Sequence, residues 1–222
     1  YQQLLIAFGD GMVIFCSQYW GKKQFAPMKK IIALAMRFGI AIAVILFAVI
    51  SVFPEQAMLC FTSDRQIIEE GVRYLHTIRF TYLFFAVTQM LLAALRSTEV
   101  AGIALRLSVM ALVVNCGINY VLIFGRFGAP ELGVTGAAIG TLTARILECG
   151  VLIFYVIRKE QYLRLQLSDF LKRDWQFLRD YLKITLPLLV LCGLWGINTA
   201  MQTVVLGHMN SAAIAANSAA SN

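Results

Sequence analysis

The sequence predicts an all-α, polytopic helical membrane protein, and three observations carry that prediction. Of 222 residues, 59% are hydrophobic and only 14% charged, against about half and about a quarter in an average soluble domain. The mean hydropathy is +0.74, and a chain this apolar has too few polar residues to cover a soluble core. Six stretches approach the roughly 20 apolar residues that a helix needs to cross a bilayer. Each is rich in Leu, Ile, Val, Ala and Gly without the alternating polar face of a barrel strand. Four prolines, 16 glycines and the lack of an acidic or Ser-rich tract argue against disorder or a collagen-like repeat.

The spans follow in order. The first runs from Tyr1 to Tyr19, the second from Ile31 to Phe53, the third from Ile78 to Leu95 and the fourth from Gly102 to Phe124. The fifth covers Val134 to Ile157 and the sixth Ile184 to Gly207, and a seventh begins near Ser211. Because the chain opens on Tyr1 within an apolar stretch and closes on an Ala-rich one, the expectation is an internal fragment.

The loops orient these spans. The first loop carries Lys22, Lys23, Lys29 and Lys30 without an acid, and the third holds Arg96 and Glu99, with Arg106 just inside the next span. The fifth has Arg158, Lys159, Arg164, Lys172, Arg173, Arg179 and Lys183. The second, Pro54 to Thr77, sets Glu55, Asp64, Glu69 and Glu70 against Arg65 and Arg73, and the fourth has Arg126 and Glu131. Lys and Arg mark cytoplasmic loops, which places loops one, three and five inside. The net charge of +7 is then a matter of orientation, and no nucleic-acid partner is needed to explain it.

The fifth loop has a pattern of its own. Leu163, Leu167, Phe170, Leu171, Trp175, Leu178 and Leu182 recur at three- and four-residue spacing, with Arg164, Lys172, Arg173, Arg179 and Asp180 on the other side. This predicts an amphipathic helix on the inner membrane surface, capped by Ser168 or Asp169; a calmodulin-type target helix would look similar. Cys16, Cys60, Cys116, Cys149 and Cys192 lack ligand spacing, as do His76 and His208, so a metal site has no support.

Polar groups inside hydrocarbon are costly, which makes them the candidates for function. Asp10, between Gly9 and Gly11, reads as a cation or proton site, or as a carboxyl held neutral or satisfied by neighbouring backbone. Asn115 and Asn119 share one helix face, with carbonyl oxygens suited to sodium and amides suited to a drug or another helix. Arg145 and Glu148, three apart, read as a structural ion pair, and Thr141 lies one turn before them. Trp195, Asn198 and Gln202 suit a cavity for flat, cationic or amphiphilic molecules, or packed core. No nucleotide-binding loop, nucleophile elbow or paired-acid motif points to an enzyme.

Ala94-Leu-Arg-Ser-Thr98, Asn115-Cys-Gly-Ile-Asn-Tyr-Val-Leu-Ile-Phe-Gly125 and Pro130-Glu-Leu-Gly-Val-Thr-Gly-Ala-Ala-Ile-Gly-Thr141 together resemble the multidrug and toxic compound extrusion (MATE) family. Ser17-Gln-Tyr-Trp-Gly-Lys-Lys23 is similar to the end of that family's second helix, and Leu186-Pro187 with Gly207-His208 to its seventh helix and the turn beyond. The resemblance implies half of a twelve-helix, two-lobe transporter fold. Residues 1–157 would be helices two to six of the N-terminal lobe, 158–183 the cytoplasmic inter-lobe linker, and 184–222 helix seven and the start of eight. It implies a cation site in which Asn115, Asn119 and Thr141 match the family's residues on helices five and six, with Asp10 as a substitute carboxylate or a subfamily peculiarity. In many members helix seven carries an acid after its Leu-Pro, whereas Leu188 to Trp195 has none.

The function so implied is export of organic, cationic or amphiphilic compounds from the cell membrane by antiport, with a sodium ion or proton as coupling ion and no cofactor. The partners implied are a small-molecule substrate and the lipid bilayer, for a monomer without nucleic acid. A lipid-linked oligosaccharide flippase is the nearest competitor and would call for a more basic cavity, since Arg145 is read as the sole deep basic residue. A seven-helix receptor and an intramembrane enzyme are more distant alternatives.

Overall fold

The computed structural model describes residues 1–59, 65–100, 102–125, 130, 132–163, 165, 169–170 and 174–207. Several residues used above, among them Cys60, Arg126, Glu131, Arg164, Ser168, Lys172, Arg173 and His208 and the segment from Ser211, lie outside the described residues. The helices are α1 (Gln2–Gly21), α2 (Phe25–Val52), α3 (Pro54–Leu59), α4 (Arg65–Ile78), α5 (Thr81–Ser97), α6 (Gly102–Ile123), α7 (Gly133–Lys159) and α8 (Trp175–Gly207), with a 3₁₀ turn at Gln161–Leu163. No strand occurs among the described residues. The molecule is an all-α membrane protein.

Among the described residues, four segments are long and apolar enough to cross a membrane: Phe25–Val52, Gly102–Ile123, Gly133–Lys159 and Trp175–Gln202. The pair Ile67–Ile78 and Thr81–Ser97 makes a fifth if taken as one span bent by 53°. The segment of α1, expected as the first span, is not among these. Gln2, Gln3, Asp10, Ser17 and Gln18 lower its hydropathy, and its environment is protein on three sides.

That environment centres the bundle on α1, which packs against α2, α5 and α8. Leu5, Phe8, Met12 and Cys16 of α1 are buried at helical spacing. They join Ile31, Ile32, Ala35 and Met36 of α2, Ala86, Met90, Ala93 and Ala94 of α5, and Tyr181 of α8 in one core. In lipid there is little hydrophobic gain from bringing helices together, so close packing over small side chains has to supply the association. The alanines of α2 and α5 permit that approach. At the opposite extreme, Leu107 is the one buried residue recorded for α6, which lies at the edge of the bundle against α7.

One expectation is revised. The stretch Pro54 to Thr77, read as a loop, contains α3 and α4. Its charges interrupt the apolar run but fall where a helix can expose them: Arg65, Glu69 and Arg73 are exposed, and Arg73 pairs with Glu70 at 3.2 Å. Of the predicted amphipathic helix, the part from Trp175 is continuous with the sixth span. Helix α8 begins at Trp175 and continues without a break through the expected 183/184 boundary, with Pro187 in its interior. Nothing between Trp175 and Ile184 stops a helix, since Pro187 is the first proline.

The ends that carry the first and fifth loops gather at one end of the bundle. Trp20, Phe25 and Tyr162 form a ring cluster with centroids 4.3–5.9 Å apart. Beside it, Lys30 reaches Asp174 at 3.1 Å and lies over the Phe177 ring. Hydrogen bonding from Lys30 holds the Asp174 carboxyl below the usual carboxylate range.

Candidate functional site

Helices α6 and α7 bring three of the predicted residues together. Asn119 Nδ2 donates to Asn115 Oδ1 at 3.0 Å, one helical turn away. Asn115 Nδ2 donates to Thr141 Oγ1 at 3.3 Å across to α7, and that hydroxyl donates to Ala137 O at 3.0 Å within its own helix. The chain of bonds leaves Asn119 Oδ1 buried with no donor among the described residues. Three neutral oxygens thus lie close together, one of them without a partner, which is the donor type that hard cations take.

Glycine makes this proximity possible. A Cβ on Gly140 would run into the Asn119 side-chain oxygen, and one on Gly136 would lie 2.9 Å from the Leu122 backbone. With a bare face at these two positions, α7 closes on α6 and Asn119 is held against the gap.

Asn115 and Thr141 open on a cavity of about 420 Å³ that is lined also by Ser108, Ala144, Arg145 and Glu148. Arg145 Nη1 donates to Glu148 Oε2 at 2.6 Å. Glu148 is only 3% exposed while Arg145 is 35% exposed, and the guanidinium lies 4.9 Å from the centroid of the Phe85 ring on α5. Among the described residues no group of three or more His, Cys, Asp or Glu side chains could hold a metal ion.

Asp10 is not brought to the asparagines. Its carboxylate lies 3.3 Å from Arg96 Nη2 of α5, with both side chains partly exposed. Where the sequence allows a cation site or a neutral or backbone-satisfied carboxyl, the geometry supplies a third arrangement, an ion pair between helices. Trp195, Asn198 and Gln202 lie on the exposed side of the outer half of α8. They line none of the cavities described here.

Arg145 is not the sole deep basic residue. Arg37, well inside α2, donates to the Asp169 carbonyl at 2.9 Å, and with Lys30, Leu34, Asp174 and Phe177 it lines a second cavity of about 410 Å³. Arg79, at the bend before α5, lies over the rings of Phe47 and Phe80. The signal for Arg37 was present in the sequence: Lys30, Leu34, Arg37, Phe38 and Ala41 recur at helical spacing on one face.

A family model described as MatE matches residues 2–121, which takes in α1 to α5 and most of α6, including both asparagines. The chain belongs to the MatE family. As a MatE chain it is a multi-pass protein of the cell membrane. It is 27% identical over 188 residues to the probable multidrug resistance protein NorM of Rhizobium meliloti, covering 82% of this chain and 39% of that protein. It is 26% identical over 219 residues to the probable multidrug resistance protein YoeA of Bacillus subtilis, covering 95% of this chain and 44% of that one. The chain therefore spans less than half the length of these curated relatives. Its fold is similar to a structure described as the inward-facing conformation of a multidrug resistance MATE family transporter, with TM-score 0.74 and 16% identity over 83% of this chain and 41% of that one. The corresponding outward-facing structure gives TM-score 0.68, also at 16% identity, over 92% and 51%.

Proposed function

We propose that this chain is the cation-binding half of a secondary active exporter that expels organic, cationic or amphiphilic compounds across the cell membrane in exchange for inward sodium ions or protons. The observation that carries the reading is the Asn115–Asn119–Thr141 oxygen cluster, with its buried, unpartnered Asn119 carbonyl and with Asn115 and Thr141 at the wall of an intramembrane cavity in a MatE chain. In this reading a coupling ion binds the cluster in one arrangement of two lobes and the drug binds in the other. A cation of equal affinity for both arrangements would drive nothing, so the cluster has to change geometry when the lobes move.

Residues 1–157 form the N-terminal lobe in this reading, with 158–183 as linker and 184–222 entering the C-terminal lobe. Trp195, Asn198 and Gln202 would face a substrate cavity completed by that second lobe. The whole transporter acts as a monomer in the bilayer and needs no cofactor or nucleic acid. A flippase for lipid-linked sugars is not favoured, because Arg145, the basic side chain at the cavity beside the oxygen cluster, is matched by Glu148, and the curated relatives are named multidrug resistance proteins.

The deciding experiment is efflux of a fluorescent cationic dye from vesicles that hold the full-length protein, under imposed sodium or proton gradients. Efflux that follows one gradient and stops when it is collapsed supports the reading, whereas efflux indifferent to both would end it.

A further inference from the structure

The cavity of about 410 Å³ between α2 and α8 is separate from the oxygen cluster and holds two basic side chains, Lys30 and Arg37, against one acid, Asp174. Lys30 and Asp174 are 39% and 36% exposed, so their 3.1 Å contact lies at the open side. An ammonium has three N–H donors, and this bond leaves Lys30 able to hold a second acceptor. Lys30 and Arg37 are seven residues apart, which places them on one face of α2 about 10 Å apart along its axis. Helical side chains lean toward the N-terminus, and α2 begins at Phe25, just after the basic first loop. Arg37 therefore leans back toward the cytoplasmic end, in keeping with its bond to the carbonyl of Asp169, ahead of α8.

Deeper along α2 the wall is apolar. Leu34, Phe38 and Ala41 line the cavity, and Ile45, 61% exposed, continues the same face at helical spacing. From Leu34 to Ile45 is roughly 16 Å at about 1.5 Å per residue, which is about half of the roughly 30 Å hydrocarbon core and so one leaflet. On the other side, Leu178 is shared with an adjoining hollow of about 550 Å³, where α8 adds Arg179 and Lys183 beside Leu182 and Leu186. The described residues lining that hollow include no acid.

A basic head region above an apolar track one leaflet deep matches an amphiphile with an anionic head and an acyl chain. The excess of positive charge would repel a cationic compound, and a free phosphate would use only the head of the cavity. Basic pockets between helices at the cytoplasmic side are a recurring way to hold anionic head groups. We propose that the α2–α8 cavity binds one anionic phospholipid of the cytoplasmic leaflet, its phosphate at Lys30 and Arg37 and an acyl chain along Leu34, Phe38, Ala41 and Ile45. The orientation comes from the loop charges, and the proposal does not depend on the export reading.

The test is native mass spectrometry of the full-length protein in a mild detergent, titrated with phosphatidylglycerol, phosphatidylcholine or inorganic phosphate. The wild type is expected to retain one phosphatidylglycerol about tenfold or more tighter than phosphatidylcholine. Lys30→Gln and Arg37→Gln are each expected to reduce that preference about fivefold, while Lys22→Gln, at the same end but outside the cavity, leaves it unchanged. Should Arg37→Gln not fold, Ala41→Phe fills the apolar track without touching a charge and is expected to abolish the preference. Equal binding of the two lipids, an equal loss in Lys22→Gln, or a preference that survives Ala41→Phe overturns the proposal. Displacement of phosphatidylglycerol by millimolar inorganic phosphate also overturns it, in favour of a free-anion site.

Discussion

The Tyr181 hydroxyl donates a 2.6 Å hydrogen bond to the backbone carbonyl of Phe8, joining α8 to the central helix α1 inside the core. Tyr181 is fully buried, and its ring stacks near those of Phe8 and Phe38. Tyr181→Phe keeps the ring and removes the bond. Interhelical bonds of this kind are worth about 0.6 kcal/mol and at most about 1.7 kcal/mol in membranes, so a stability loss in that range is expected from thermal unfolding in detergent.

One turn along the same interface, Gly11 faces Thr185. A Cβ on Gly11 would press against the Thr185 side chain and lie 3.4 Å from its Cα. Gly11→Ala is expected to push α1 and α8 apart and cost about 1–3 kcal/mol, the usual scale of overpacking. Thr185→Ala in the same chain should recover part of the loss, as measured by the midpoint of thermal unfolding.

The oxygen cluster predicts a functional defect without a folding defect. Asn119→Ala removes the unpartnered carbonyl and Asn115→Ala the bond to Thr141. Each is expected to weaken coupling-ion affinity by about tenfold or more while membrane insertion is unchanged. Gly140→Ala should do the same by displacing Asn119. Efflux rate against sodium concentration and pH is the measurement, and curves identical to wild type would remove the cluster from the mechanism.

Lys30 and Asp174 tie α2 to the residue that precedes α8. Because Lys30 depresses the Asp174 carboxyl, the tie stabilises the fold above the ordinary carboxylate range and is lost as pH falls through the lowered folded value. Asp174→Asn is therefore expected to abolish that part of the acid sensitivity. The effect should also vanish near 1 M salt, where the screening length is about 3 Å. Unfolding midpoints across pH, with and without salt, check both.

Asp10 and Arg96 form a partly exposed pair between α1 and α5. Asp10→Asn and Arg96→Gln are each expected to destabilise by about 1 kcal/mol or less, with the double variant closer to wild type than the sum. A strictly additive double-mutant cycle would show that the two charges do not interact.

Much of this was legible in the sequence because it is local. Apolar composition and run length established an all-α membrane protein, and helical spacing alone put Asn115 beside Asn119 and Arg145 beside Glu148. The segment of α4 was missed for the same reason: run length is blind to a helix whose charges lie on one side. One helix runs through 183/184, where the sequence shows an amphipathic pattern followed by an apolar run, because a single helix can carry both.

The chain by itself determined class, order of spans and neighbours within a turn, since helix periodicity relates only residues three or four positions apart. Tertiary packing decided which helix is central, that Asp10 meets Arg96 and not the asparagines, that Asn119 fits against Gly140, and that Arg145 has a ring to lean on. Those distances join residues far apart in sequence. They follow from which helix faces are bare enough to touch, and no reading of a single helix contains that.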